Sequence, residues 1–258
     1  MVTRSLPLFG TALLAGLLLF AGCRELPGAS GDGSGAGEGG AGLLIFAFDR
    51  SSSVQDHELR HAGGLTRERL GRLEHGDRFV ALEVLERSLD EEPKRWSERV
   101  PEARYPGQRT QRDSVARARF VRDAQAYIAR FSDTEERERR SGTDILSTLH
   151  LVGEELRAHP DRSATLVLFS DMLQATRTMN MEGLVRMPPA DWVRSQSENG
   201  ALPDLTGLCV VVVGARNDTP GSRRVADFWE EYFQETGAVL RPENYAYRPV
   251  RIPERPCP

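Results

Sequence analysis

The sequence predicts an α/β fold with a doubly wound, mostly parallel central sheet flanked by helices. Three observations point there. The runs Leu43–Phe48 and Leu208–Val213 are apolar without interruption, and Ala164–Phe169 is apolar apart from Thr165. Runs of that length lacking polar alternation suit strands buried on both faces, as in parallel sheets. Between them lie segments with apolar residues at helical spacing, such as Phe120, Val121, Ala124, Ile128 and Phe131. Strand and helix patterns then alternate along the chain, the signature of helices covering both sheet faces.

In order, strands are expected at 43–49, 78–85, 163–170, 208–214 and 239–247. Helices are expected at 65–74, 112–131, 144–158 and 222–235. Pro160 ends the helix before the third strand. The stretch from Gly42 to Pro258 is long enough for one sizeable domain. Two long connections interrupt the pattern, Leu89–Gln111 and Met172–Trp192. The second holds every methionine except Met1, namely Met172, Met179, Met181 and Met187. Thioethers there either form an adaptable rim for a partner or pack a short local helix.

The chain carries 34 Lys and Arg against 38 Asp and Glu, a net charge of -4, and no basic block, so nucleic acid is not an expected partner. The mixed run Glu135–Arg140 reads as a solvated face.

Residues 1–22 read as a targeting segment. Arg4 provides a positive start, Leu6–Ala21 an apolar core too short to span a membrane comfortably, and Ala21-Gly22 a small-residue close. Cys23 follows directly and resembles the diacylated cysteine of a bacterial lipobox. The alternative is an ordinary secretory signal with an incidental Cys. Residues 24–41, after that Cys, are mostly Gly, Ser and Ala, a flexible tether that cannot bury a core. The expected organisation is signal peptide (1–22), lipidated Cys and tether (23–41), and a folded domain with a Pro-rich tail (42–258). Such a protein would be held on a membrane of the bacterial cell envelope by its lipid, with the domain in the periplasm or at the cell surface. An exported chain permits a disulfide between Cys209 and Cys257; a buried free thiol and a loose tail are the alternative.

Chemistry concentrates at the strand tips. Asp49-Arg50-Ser51-Ser52-Ser53 reads D-x-S-x-S and ends the first apolar run. It would deliver one carboxylate and two hydroxyls at the carboxyl edge of the sheet, where open α/β folds bind ligands. Oxygen-only donors suit a hard divalent cation. Thr143 stands just before a helix, and Asp171 follows Ser170 at the end of another strand.

Together Asp49, Ser51, Ser53, Thr143 and Asp171 resemble the metal-ion-dependent adhesion site of von Willebrand factor type A domains. That pattern is D-x-S-x-S, then a Thr, then an Asp. The resemblance extends over about 42–248, through Leu70–Leu82, Leu208–Gly214 and Ala226–Ala238. It also implies an antiparallel edge strand near Trp96–Val100. Two departures are visible: Arg50 where the family often has Gly, and Met172 where it often has Gly after the Asp. The resemblance implies Mg²⁺ or Mn²⁺ held by the five side chains, with a protein partner's Asp or Glu carboxylate completing the shell. That function is binding rather than catalysis. An envelope scaffold whose metal site does not gate binding is the nearest alternative.

His57-Glu58-Leu59-Arg60-His61 is also a literal H-E-x-x-H, the pattern of a zinc-dependent hydrolase. Its context opposes that reading. Arg67 stands where one protease clan has a third ligand, and Gly63-Gly64 is expected to end the helix early.

Overall fold

The computed structural model describes residues 41–89, 95–105, 110–132, 142–184, 186–249, 251–252 and 257. Cys23, the targeting segment, the tether up to residue 40 and the charged run 135–140 lie outside these residues.

Three apolar runs become the middle of the sheet because each is shielded on both faces. The strands are β1 (Leu43–Asp49), β2 (Arg78–Val84), β3 (Arg95–Arg99), β4 (Ala164–Phe169), β5 (Leu208–Val213) and β6 (Val239–Ala246). They assemble in the order β3-β2-β1-β4-β5-β6, with only β3 antiparallel. The helices are α1 (Asp56–Leu70), α2 (Gln111–Ser132), α3 (Ile145–Ala158), α4 (Trp192–Glu198) and α5 (Pro220–Glu235). The described residues, from 41 onward, form one compact unit.

Period-two alternation along β1 sorts its side chains between two cores. Leu44, Phe46 and Phe48 join Ala62 and Leu65 of α1 and Phe120, Ala124, Ile128 and Phe131 of α2. Leu43, Ile45 and Ala47 join Ile145, Leu149 and Val152 of α3 and Trp229, Tyr232 and Phe233 of α5. Phe48 stacks on Phe169 with ring centroids 4.8 Å apart and on Phe131 at 4.9 Å. This aromatic layer lies directly beneath the carboxyl ends of β1 and β4.

Two elements depart from the sequence reading. Helix α1 begins nine residues before the expected 65 and runs through Gly63-Gly64. Two glycines cost a helix about 2 kcal/mol relative to alanines. Burial of Leu59, Ala62, Leu65 and Leu70 on one face outweighs that, because each large apolar side chain returns about 1.5–3 kcal/mol. A capping box between Gln55 and Glu58 fixes the start. Helix α4 was not expected; it is short, and only Val193 is buried from it. The methionines of the 172–192 connection point inward: Met172, Met179 and Met181 are buried in the core beside α3 and α5, and Met187 packs against it. They chiefly fill space, with Met179 also reaching a surface groove, around a 3₁₀ turn at Glu182–Leu184.

The chain end is stapled back. Cys209, at the start of β5, forms a disulfide with Cys257, 48 residues on. Closing a loop of that length restricts the unfolded chain and stabilises the fold by about 2–4 kcal/mol. Cys209→Ser should therefore lower the melting temperature, and reductant should lower it in the wild type alone. Equal melting of the oxidised wild type and the variant would show that the staple does not hold the fold.

Candidate metal centre

Parallel pairing sets the site. Phe48 of β1 aligns with Phe169 of β4, so the next residues, Asp49 and Ser170, face each other at the sheet's edge. Ser170 Oγ donates to Asp49 Oδ2 at 2.7 Å. Asp49 Oδ1 accepts the Ser51 backbone N–H at 2.9 Å, which turns the chain sharply after the strand. Asp49 is 1 % exposed. Ser51 and Ser53 bring their hydroxyl oxygens within 2.9 Å of each other, and Ser53 also hydrogen-bonds the Asp171 carboxylate. Four of the five residues singled out from the sequence, Asp49, Ser51, Ser53 and Asp171, thus form one connected group.

Asp171 is half-buried and accepts the Leu173 N–H at 3.0 Å. Loss of solvent is the main cause raising its pKa, and the neighbouring Asp49 charge adds to it. Together they lift the carboxyl from the usual range to about 7. Two carboxylates held this close away from bulk water repel each other, and a divalent cation between them would remove that cost. The donor set is all oxygen, which fits Mg²⁺ or Mn²⁺. Among the described residues no group of three or more His, Cys, Asp or Glu side chains is arranged to hold a metal; the hydroxyls are what enlarge this site beyond two carboxylates.

Thr143 is brought alongside by its backbone. Its N–H donates to Ala175 O at 2.9 Å, and its carbonyl accepts Ala175 N–H at 2.8 Å, pinning it to the loop four residues past Asp171. Gly142 permits this approach, since a Cβ there would stand 2.9 Å from Ala175 O and collide with Glu86. Gln174, buried in the same loop, was not anticipated. Its Oε1 accepts the Ile145 N–H at 2.7 Å, and its Nε2 donates to Asp144 Oδ1 at 3.0 Å. One amide thus caps α3 and ties the Thr143 loop to the Asp171 loop. Ser170 was likewise missed as a supporting residue; the signal was a hydroxyl immediately preceding the Asp at a strand end.

Both departures from the family pattern have structural consequences. Met172 adopts φ 65, a left-handed conformation costing a non-glycine residue about 1–2 kcal/mol. Its N–H donates to Ser170 Oγ at 2.9 Å, its carbonyl accepts the Trp229 indole N–H at 2.8 Å, and its side chain is fully buried. Gly214, at φ 115, lets β5 pass close to the same turn, where a Cβ would meet Ser170 O at 2.9 Å. Arg50 turns inward and pairs with Glu83 of β2 at 3.5 Å, the two side chains 8 % and 1 % exposed. Nε and Nη2 of Arg50 and both Glu83 oxygens make no hydrogen bond, so this pair recovers little of its desolvation cost.

The H-E-x-x-H segment lies on α1, and its rings face the chain end. His57 Nε2 is 3.0 Å from the Tyr247 hydroxyl, and His61 Nε2 is 3.1 Å from Pro249 O. Arg216 stacks over the Tyr247 ring at 4.0 Å. The two imidazoles dock the tail onto α1.

No protein-family model matches the chain, and no curated protein matches it. Solved structures that resemble it include a von Willebrand factor type A protein from Catenulispora acidiphila, at 17 % identity and TM-score 0.40, covering 76 % of this chain and 42 % of that one. The pilus adhesin SpaC from Lactobacillus rhamnosus GG has 10 % identity and TM-score 0.45, with 80 % and 27 % covered. Manganese-loaded TRAP protein from Plasmodium vivax has 10 % identity and TM-score 0.33, with 80 % and 68 % covered. The chain spans less than half the length of the first two. Identities and scores this low transfer no residue roles.

The raised Asp171 carboxyl has a testable consequence. A carboxyl whose folded pKa exceeds its unfolded value weakens the fold as pH rises from about 4 through about 7. Asp171→Asn should thus stabilise the metal-free domain at pH 8 by about 1–3 kcal/mol, and much less at pH 4. Denaturant unfolding at both pH values is the measurement. A variant less stable than wild type at pH 8 would contradict the repulsion between the two carboxylates.

Proposed function

We propose that this chain is a lipid-anchored envelope protein whose domain binds another protein through a divalent cation. The observation that carries the reading is the convergence of Asp49 and Asp171 with the Ser51 and Ser53 hydroxyls at adjacent strand tips, with Asp171 pushed towards neutrality by its surroundings. Ser51, Ser53 and Thr143 would hold the ion directly. Asp49 and Asp171 would balance its charge, directly or through water. Few carboxylates around the ion leave it attractive to an outside Asp or Glu, which is the partner group this chemistry recognises. The ion, once bound, supplies a positive centre for that carboxylate; the chain's residues orient it and screen it from water. No bond-making step is involved.

Ser170, Gln174 and the Trp229 indole keep the loops in place around the cation, the kind of outer support that tunes a metal site. Beside it opens a groove of about 670 Å³ lined by Asp144, Gln174, Arg177 and Trp192 among others. A partner chain donating its carboxylate to the ion would run along this groove. The largely inward-facing methionines make exposed Arg177 and half-buried Trp192 better candidates than the thioethers for sensing partner sequence.

Calorimetry tests the metal. The soluble domain should bind Mg²⁺ or Mn²⁺, Asp49→Ala should abolish binding while far-ultraviolet circular dichroism stays unchanged, and His57→Ala with His61→Ala should leave affinity as it was. Metal binding that survives Asp49→Ala would place the ion elsewhere. Partner capture from envelope extract should disappear with chelator and return with Mg²⁺; capture indifferent to chelator would make the domain a scaffold.

The anchor is tested separately. Cys23→Ser should shift the full-length protein from the detergent-soluble membrane fraction to the soluble fraction. Unchanged membrane association would remove the lipid from this proposal.

A further inference from the structure

Arg50 and Glu83 form a buried ion pair that returns little stability. Both side chains are withdrawn from solvent, yet their closest approach is 3.5 Å. Nε and Nη2 of Arg50 and both carboxylate oxygens of Glu83 make no hydrogen bond among the described residues. An apolar pair of similar volume would avoid the desolvation cost altogether. Charges kept under these conditions call for a role other than holding the fold.

Their position supplies one. In the parallel ladder between β1 and β2, Glu83 lies opposite Phe48 and Val84 opposite Asp49, and Arg50 follows Asp49 directly in the chain. Neighbouring strands lie about 4.8 Å apart and successive residues about 3.8 Å, so both charges stand within about 10 Å of the Asp49 carboxylate. The surroundings are poor in water, with the Phe48 ring stacked between Phe131 and Phe169. Charge is felt through them: burial is the main cause pushing the Tyr127 phenol up on α2, and the Glu83 carboxylate adds to it. In such a medium a nearby charge acts on an ion far more strongly than it would in water.

We propose that Glu83 sets the cation affinity of the metal centre by neutralising Arg50. Asp49 and Asp171 attract a cation to the strand tips, and the Arg50 guanidinium beside them would oppose its entry. Glu83 cancels that positive charge, so the ion meets the two carboxylates undiminished. Glu83 is thus not a ligand; it acts on the ion through Arg50. Where glycine stands at position 50, as in the pattern the site resembles, no such partner is needed. This role rests on the cation-binding reading of the site and adds to it an affinity-determining residue on β2.

Mg²⁺ and Tb³⁺ are the probes, titrated calorimetrically into the full chain at pH 8. Glu83→Gln has nearly the same shape and leaves Arg50 uncancelled; it should weaken Mg²⁺ binding by about tenfold to a hundredfold. Arg50→Gln leaves Glu83 uncancelled and should tighten binding by about threefold to tenfold. The double variant removes both charges and should return to within about threefold of wild type. For Glu83→Gln the loss in log affinity should be about one and a half times larger with Tb³⁺, because Coulomb energy scales with the charge of the ion. Melting in chelator establishes that each variant is folded; should Glu83→Gln fail to fold, Arg50→Gln and the double variant decide. Opposite signs in the two single variants mark an effect of charge, whereas damage to packing would weaken both. Unchanged affinity in Glu83→Gln, no tightening by Arg50→Gln, or a double variant as weak as Glu83→Gln would overturn the role of Glu83 and leave the metal reading intact. A wild type that binds neither ion would overturn both.

Discussion

Two carboxylates held side by side at neighbouring strand tips are the constraint around which the upper half of this domain is arranged. Asp49 and Asp171 come together because β1 and β4 pair in parallel, with Phe48 opposite Phe169. Below them, stacked aromatic rings exclude water and give the strand ends a rigid floor. Low polarability beneath and like charge beside have the same effect on Asp171: both favour its neutral form. The arrangement is costly unless a proton or a cation compensates it. That cost is the physical content of calling the place a site.

Holding the carboxylates there requires loops that cannot drift. Ser170 links the two tips, donating to Asp49 while accepting from Met172. Met172 tolerates its left-handed backbone because three separate contacts hold it: a hydroxyl, an indole and a packed core. Removing its side chain would relieve about 1–2 kcal/mol of backbone strain and forfeit about 2–5 kcal/mol of packing, so burial decides the residue. Gln174 extends the same network to α3 and to the Thr143 loop. The inner pair of Arg50 and Glu83 belongs to the opposite category. Its geometry is too open to stabilise the fold by much, and its effect is to keep a positive charge buried next to Asp49 but balanced by Glu83.

A motif can be literal and still mean something else. His57 and His61 have the spacing of zinc ligands and share a helix face, but that face receives the chain's end. Tyr247, gripped by His57 and by Arg216, and the disulfide to Cys209 hold the last residues against the domain. Spacing places side chains on a common face; only the neighbours of that face determine what they touch.

The sequence by itself determined the sheet and the polarity of its ends. Apolar runs with almost no polar break are buried on both sides, and the residues ending them, Asp49 and Ser170-Asp171, must then emerge at one edge. The resemblance added Thr143 and the edge strand. What tertiary structure decided was whatever depended on pairing between distant segments: that α1 continues through Gly63-Gly64, that the methionines face inward, that Ser170 and Gln174 tie the site's loops, and that Arg50 finds Glu83. Local propensity is worth about 1 kcal/mol per residue and periodicity reads one face at a time. Burial against a partner segment can outweigh the first, and a hydrogen bond between strand tips 121 residues apart leaves no trace in the second.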